Sequence, residues 1–129
     1  MKNDKNILIL ESTRIAGLEL QQELEKEGFS VSRPISLVDT EAIVAIHKPD
    51  LVVANISIKK QYLFEQVKQY FKKLQLPLIW IGTLTNKDAS QENDGLNVIG
   101  IFSKPFDGKK IVALIVSYFH KVVDLLFHK

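Results

Sequence analysis

The chain has 129 residues, 46% of them hydrophobic and 25% charged, which are the proportions of one globular domain. The net charge of +2, from 17 basic and 15 acidic residues, does not favour nucleic acid as a partner, and the absence of cysteine excludes disulfides, thiol catalysis and cysteine metal sites. No segment has the pattern of a signal peptide or a membrane-spanning helix, so we expect a cytoplasmic protein without a membrane partner.

Short apolar runs alternate with amphipathic stretches along the whole chain. In chain order they predict strand 6–10, helix 14–27, strand 29–33, helix 37–47, strand 50–56, helix 60–73, strand 77–82, a short polar helix at 85–93, strand 97–102 and a last helix at 107–128. This alternation predicts an α/β fold, in which one parallel sheet carries helices on both faces. No linker or internal repeat interrupts it, so residues 1–129 are expected to form a single domain.

The helical spacing of apolar residues predicts which face of each helix is buried. The first helix is expected to end at Gly28, and Ser36 with Asp39 resembles a capping box at the start of the second. The predicted inward residues are Ala16, Leu20 and Leu24, widened by Ile15 and Leu18, in the first helix; Val38, Ala42, Ala45 and Ile46 in the second; and Leu63, Val67, Tyr70, Phe71 and Leu74 in the third.

Residues 50–56, Asp-Leu-Val-Val-Ala-Asn-Ile, form the most informative stretch of the chain. A continuous Leu/Val run of this length is typical of a strand that is buried on both faces of a parallel sheet. In open parallel sheets, ligands bind just beyond the carboxyl ends of the strands. Asn55 therefore occupies a site position, although a carboxamide is neither a nucleophile nor a charged group.

Four predicted strands bring polar residues to the same edge of the sheet, namely Glu11-Ser12, Asn55, Gly82-Thr83 and Lys104-Pro105. With the stretches ILILES, KPDLVVANI, PLIWIGT and FSKPFD, this layout resembles the receiver domain of a two-component response regulator over about residues 5–121. The resemblance implies a doubly wound, flavodoxin-like sheet of five parallel strands in the order 2-1-3-4-5. It also implies a role in phosphorelay signalling.

The receiver family uses a fixed set of residues at this edge. Two acids after the first strand hold Mg²⁺, an aspartate at the end of the third strand accepts a phosphoryl group, and a hydroxyl residue and a lysine contact the phosphoryl oxygens. Carried over to this chain, Glu11 matches the first acid and Lys104 matches the lysine. Ser12 replaces the second acid, and Asn55 replaces the acceptor. Gly82 falls at the hydroxyl position, with Thr83 one residue later.

These departures predict a degenerate phosphoacceptor pocket without a catalytic residue. Asn55 cannot form an acyl phosphate, because its nitrogen lone pair is delocalised and its oxygen carries no full charge. Glu11 is the one carboxylate left of three, and Lys104 would make the pocket nearly neutral, so we expect no cofactor and weak or no Mg²⁺ binding. We expect Lys104 to pair with Glu11 or to hydrogen-bond to Asn55 in place of the metal and phosphate.

The predicted last helix carries two adjacent apolar stripes. The first is expected to cover the sheet and comprises Ile111, Ile115, Tyr118, Val122 and Leu125. The second either widens the core face or packs against a partner and comprises Val112, Val116, Phe119, Val123 and Leu126. A helix of about 21 residues spans roughly 31 Å and a five-residue strand about 17 Å, so the helix should overhang the sheet. The overhang favours a homodimer or docking to another chain.

Together these features predict a non-enzymatic receiver-like domain that signals without phosphorylation through a protein partner, such as a kinase, an effector or a second copy. The alternative is a flavodoxin-like domain that binds a small anion or nucleotide near Lys104 and Thr83, although the chain has no glycine-rich phosphate loop. The chain could also be the receiver part of a longer transcription factor or kinase. The three histidines lack metal-ligand spacing, so no metal site is predicted, and Trp80 is expected in the core.

Overall fold

The computed structural model describes residues 4–11, 13–83 and 95–127, with side chains up to residue 121. Five parallel strands form one sheet in the order β2-β1-β3-β4-β5, which confirms the predicted fold class. The strands are β1 (Asn6–Leu10), β2 (Ser30–Ser32), β3 (Leu51–Asn55), β4 (Pro77–Gly82) and β5 (Asn97–Ser103). The helices are α1 (Arg14–Lys26), α2 (Leu37–His47), α3 (Phe64–Leu74) and the last helix (Gly108–Phe127).

The sheet separates two hydrophobic cores, because successive side chains of each strand point to opposite faces. One face packs against α2 and α3 and contains Leu8, Val52, Leu78 and Trp80 with Val44, Val67 and Phe71. The other packs against α1 and the last helix and contains Ile9, Val53 and Ile79 with Leu20, Leu24, Ile111 and Ile115. β3 and β4 are buried along their whole length, which explains why their sequences are continuous apolar runs.

Gly28 ends α1 as predicted, through a Schellman motif. It adopts a φ of +90°, which a residue with a Cβ rarely reaches. The Gly28 N–H donates to the Glu25 carbonyl at 3.0 Å, and the Phe29 N–H donates to the Leu24 carbonyl at 3.2 Å. These bonds satisfy carbonyls at the helix end and turn the chain directly into β2.

The third helix begins later than predicted, because a 3₁₀ segment, Ile56–Lys60, follows β3. Ser36 does precede α2, but its side chain makes no capping bond to the backbone. Instead its Oγ donates to the Asp39 carboxylate at 3.3 Å. The predicted polar helix at 85–93 lies outside the described residues. Among the described residues, no helix combines the length and apolarity needed to cross a membrane.

The predicted inward face of α2 is wrong. Leu37, Thr40 and Val44 face the core, whereas the four residues expected to do so, Val38, Ala42, Ala45 and Ile46, are exposed. Apolar residues occur on both sides of this helix, so the spacing of apolar residues cannot select a face. The predicted extra inward residues of the other helices are also exposed, namely Ile15 and Leu18 in α1 and Tyr70 and Leu74 in α3.

The two stripes of the last helix share one core as far as residue 121. Ile111 and Ile115 are fully buried, but Val112 is buried as well, so its assignment to an interface was wrong. Val116 and Phe119 pack partly buried against the same cluster. The helix lies against both α1 and the sheet, and this wide contact accommodates both stripes. The side chains of Val123 and Leu126, the other interface candidates, lie outside the described residues.

Candidate functional site

The carboxyl ends of three neighbouring strands position the candidate site. β3 lies between β1 and β4 at the centre of the sheet, so Glu11, Asn55 and Gly82 end adjacent strands. Asn55 is in register with Ile81 of β4. Lys104 follows β5, and its backbone N–H donates to the Gly82 carbonyl at 2.9 Å. The structure therefore brings these four sequence-predicted residues together, while Ser12 lies outside the described residues.

The Glu11 carboxylate is the centre of the site, with a fully buried side chain. Lys104 Nζ lies 2.9 Å from Glu11 Oε2, so it pairs with one of the two partners expected from the sequence. Asn55 Nδ2 donates to both carboxylate oxygens, at 3.1 and 3.2 Å. The Thr13 backbone N–H donates to Oε1 at 2.9 Å. Glu11 is thus held by one charged and two neutral donors, and it links β1 to β3 and to the loop after β5.

Asn55 holds its amide in one orientation by using both of its polar atoms. Nδ2 faces the Glu11 carboxylate, while Oδ1 accepts the Ser57 backbone N–H at 2.8 Å. The second bond caps the 3₁₀ segment that begins at Ile56. This capping role was missed from the sequence, although an Asn that precedes a turn by one residue is a common signal for such a bond. The same side chain therefore closes the pocket and fixes the loop after β3.

The environment of Glu11 keeps its carboxylate ionised. Burial raises the pKa of Glu11, but hydrogen bonds from Thr13, Lys104 and Asn55 and the positive charge of Lys104 lower it further than burial raises it. The net result is a pKa below the ordinary glutamate value of 4.5. At neutral pH the site therefore contains a matched pair of charges, and its net charge is zero.

Gly82, which the receiver resemblance aligns with the hydroxyl residue, has a backbone conformation that disfavours other residues. Its φ is +131°, and a Cβ built on it would lie 3.0 Å from Asn55 Oδ1 and 3.3 Å from Asn55 Cγ. A threonine at this position would be strained and would displace the amide. Thr83, the next residue, is exposed. The site thus lacks a positioned hydroxyl at Gly82 and fills the space with the Asn55 side chain.

The residues of this site do not fit the Mg²⁺ that the receiver family binds here. Mg²⁺ requires oxygen ligands in near-octahedral geometry, usually including carboxylates. Glu11 is the one carboxylate among the described site residues, and it already accepts bonds from Lys104, Asn55 and Thr13. Asn55 Oδ1 is bonded to Ser57. A metal ion would have to displace an ammonium group 2.9 Å from the carboxylate.

Three further observations concern residues outside the site. Trp80 is buried in the core below it, as expected, where it packs against Phe64. Ile101, which the receiver resemblance aligns with a switching aromatic residue, is exposed on β5. His47 and His120 are exposed, in agreement with their expected surface positions, and His128 lies outside the described residues.

Comparison with known proteins identifies one relative by sequence. No protein-family model matches the chain. It is 25% identical over 122 residues to a protein of Porphyra purpurea named "Probable transcriptional regulator ycf29". The match covers 90% of this chain and 57% of that relative, so the chain spans a little over half of the relative's length.

Solved structures give a closer agreement in shape than in sequence. A two-component response regulator from Clostridium difficile superposes with a TM-score of 0.77 at 14% identity, covering 92% of this chain and 98% of that chain. An orphan response regulator of H. pylori superposes with a TM-score of 0.74 at 20% identity, covering 91% and 98%. The receiver domain of the TMAO respiratory regulator TorR superposes with a TM-score of 0.74 at 17% identity, and the match covers 91% of this chain and 98% of that chain. The chain therefore has the fold of response-regulator receiver domains.

Proposed function

We propose that this domain is a pseudo-receiver, which acts by protein–protein contact and is not switched by phosphorylation. The observation that carries the proposal is the closed cluster of Glu11, Asn55 and Lys104, in which the family's phosphate-binding lysine is neutralised by the family's metal-binding acid. An amide at the acceptor position supplies no nucleophilic oxygen for attack on phosphorus. The domain would then hold one conformation rather than alternate between two.

The internal bonds of the cluster also support a fixed state. Glu11 connects the ends of β1 and β3 with the loop after β5, and Asn55 connects the same cluster to the 3₁₀ segment. In a phosphorylated switch, a new charge reorganises segments of this kind. Here one ion pair and three hydrogen bonds to Glu11 occupy the position of that charge.

The alternative function, binding of a small anion or nucleotide, has weaker support. Lys104 would be its principal ligand, but Lys104 Nζ is paired with Glu11 at 2.9 Å. Thr83, the second expected ligand, is exposed on the loop after β4. An anion would have to compete with a buried carboxylate for the same ammonium group. Anion or nucleotide binding is therefore less well supported than the pseudo-receiver function.

The proposed partners are proteins, namely a signalling kinase, an effector or a second copy. Docking through the last helix, expected from the sequence, now depends on Val123 and Leu126, because Val112 belongs to the core. The Porphyra purpurea relative is named as a transcriptional regulator, which favours an output at the level of gene expression. This chain would provide the regulatory contact within such a system.

A phosphoryl-analogue titration tests the proposal. The purified domain is titrated with beryllofluoride in the presence of Mg²⁺, and binding is followed by calorimetry and by Trp80 fluorescence. We expect no saturable, metal-dependent binding to the wild-type chain. An active receiver domain run in parallel provides the positive control. Tight binding that requires Mg²⁺ would show that the pocket works despite Asn55, and the proposal would then be wrong.

A further inference from the structure

The outer face of α2 is an exposed apolar surface. Val38 and Ile46 are 68% and 71% exposed, Ala42 and Ala45 between them are exposed, and Ile35, just before the helix, is 96% exposed. We call these five residues the α2 stripe. Single exposed apolar residues are common, but a contiguous stripe at helical spacing is characteristic of an interaction surface.

A groove continues the α2 stripe on one side. It lies between the carboxyl ends of α2 and α3 and has a volume of about 480 Å³. Ala45 of the stripe lines one wall, and Tyr70 and Leu74 line the other, where they are 38% and 52% exposed. The stripe and the groove together form a single apolar surface that crosses two helices.

The rim of this groove is positively charged. Lys48 and Lys73 line it and are both exposed. The acid among the lining residues is Asp50, and its Oδ2 already accepts the Asn6 backbone N–H at 2.8 Å. The groove is therefore suited to a surface that offers small apolar residues beside an acidic side chain.

We propose that the α2 stripe is a self-association surface, on which a second copy of this chain packs its own α2 in antiparallel orientation. A two-fold axis that crosses the exposed side of α2 midway between Ala42 and Ala45 places Ala42 of each copy opposite Ala45 of the other. These small side chains allow the two helices to approach closely. Val38 and Ile46 then lie at opposite ends of the contact, where each meets apolar residues of the other copy.

The charges of α2 fit this arrangement. Glu41 lies about one turn before Ala45 on the same side of α2, and Lys48, the left-handed residue that follows the helix, lines the groove together with Ala45. In an antiparallel two-fold pair, Glu41 of each copy lies within about one helical turn of Lys48 of the other. Glu41 thereby enters the positive rim formed by Lys48 and Lys73. One helix supplies both halves of the contact, and this self-complementarity favours a second copy over an unrelated protein.

Charge reversal tests this pairing. Glu41→Lys and Lys48→Glu each place like charges across the two-fold axis, and each is expected to weaken the dimer roughly tenfold or more in sedimentation equilibrium. The double variant Glu41→Lys/Lys48→Glu exchanges the charges and is expected to recover most of the association. A folded wild-type chain that stays monomeric from micromolar to near-millimolar concentration would overturn the proposal, as would a double variant no better than the single ones.

Disulfide trapping locates the surface, because the natural chain contains no cysteine. Ala42→Cys is expected to form a covalent dimer under mild oxidation at least about tenfold faster than Ser117→Cys, an exposed position on the last helix. Equal rates, or a faster reaction at position 117, would exclude α2 as the contact. This inference does not depend on the state of the Glu11 pocket. The phosphoryl-analogue titration can therefore refute the proposed function without affecting the α2 contact, and the dimer experiments can refute the α2 contact without affecting the proposed function.

Discussion

At the scale of single residues, one carboxylate determines the chemistry of the strand-end site. Glu11 is buried with an ammonium, a carboxamide and a backbone N–H around it, so its charge is matched and its oxygens are satisfied. The sequence predicted Glu11 or Asn55 as the partner of Lys104, because the ends of parallel strands converge, but it did not select between the two. It was not sufficient to predict that Asn55 also caps the 3₁₀ segment, since that bond depends on the local turn.

The charge of Glu11 is expected to stabilise the fold in a pH-dependent manner. Because its folded-state pKa is below the unfolded value of 4.5, its contribution is present above about pH 4.5 and is lost as the pH falls through the folded-state pKa. Glu11→Gln removes this contribution and leaves the Lys104 ammonium without its counter-charge. We expect a loss of about 1–3 kcal/mol at neutral pH and a flatter acid limb in urea unfolding. Glu19→Gln, an exposed control, should retain the wild-type profile; an unchanged acid limb in Glu11→Gln would contradict this account.

Asn55→Asp tests the amide with an almost isosteric change. The new carboxylate lies about 3 Å from the Glu11 oxygens and removes the Nδ2 donor. Repulsion raises the pKa of the carboxyl pair, so the variant is favoured at low pH and loses stability as the pH rises through the raised pKa. We expect a deficit of roughly 1–3 kcal/mol at neutral pH that shrinks in acid. Unfolding free energies measured across this range would refute the reasoning if the deficit were independent of pH.

At the scale of elements, strands and helix ends were more predictable than helix faces. The central strands β3 and β4 are short, continuous apolar runs, and such runs are typical of strands buried on both faces. Gly28 marks the end of α1, because glycine readily adopts the positive φ that is needed there. The buried face of α2 could not be predicted, because Val38 and Val44 are equally apolar. Packing of the helix against the sheet determines that Val44 is the buried one. In the last helix, Val112 joined the core because the helix packs against α1 as well as the sheet.

Gly28→Ala measures how much the end of α1 depends on a positive φ. An alanine at +90° is strained, so we expect a loss of about 1–2 kcal/mol in the free energy of unfolding, without a change in fold. Gln22→Ala, at an exposed position within α1, is the matched control and should change stability by no more than about 0.5 kcal/mol. Equal effects at the two positions would indicate that the Schellman motif is not a determinant of stability.

At the scale of the whole molecule, the strand order came from the family resemblance and not from periodicity. Alternating elements predicted a parallel sheet, and the order β2-β1-β3-β4-β5 agrees with the receiver fold. Solved receiver structures at 14–20% identity superpose on over nine-tenths of the chain, so this fold is compatible with widely different sequences.

The assignment of the pocket predicts a partial rescue. Replacing both Asn55 and Ser12 with aspartate restores three carboxylates beside Lys104, so we expect weak Mg²⁺ binding that the wild-type chain lacks. Phosphoryl transfer should remain absent or slow, because Gly82 provides no hydroxyl. Calorimetry of the double variant against Mg²⁺ measures the gain, with Ca²⁺ as a control for non-specific cation binding. No gain in affinity would count against the correspondence between these residues and the receiver pocket.

The backbone at Gly82 couples this position to the Asn55 side chain. Any residue with a Cβ at this position is strained while φ is positive, and its Cβ makes tight contacts with the Asn55 side chain. Aspartate at position 55, in turn, meets Glu11 without a second cation to balance it. Each substitution alone is therefore expected to destabilise the fold. Positions 55 and 82 share one space, so the effects of substitutions at the two positions are expected to be non-additive.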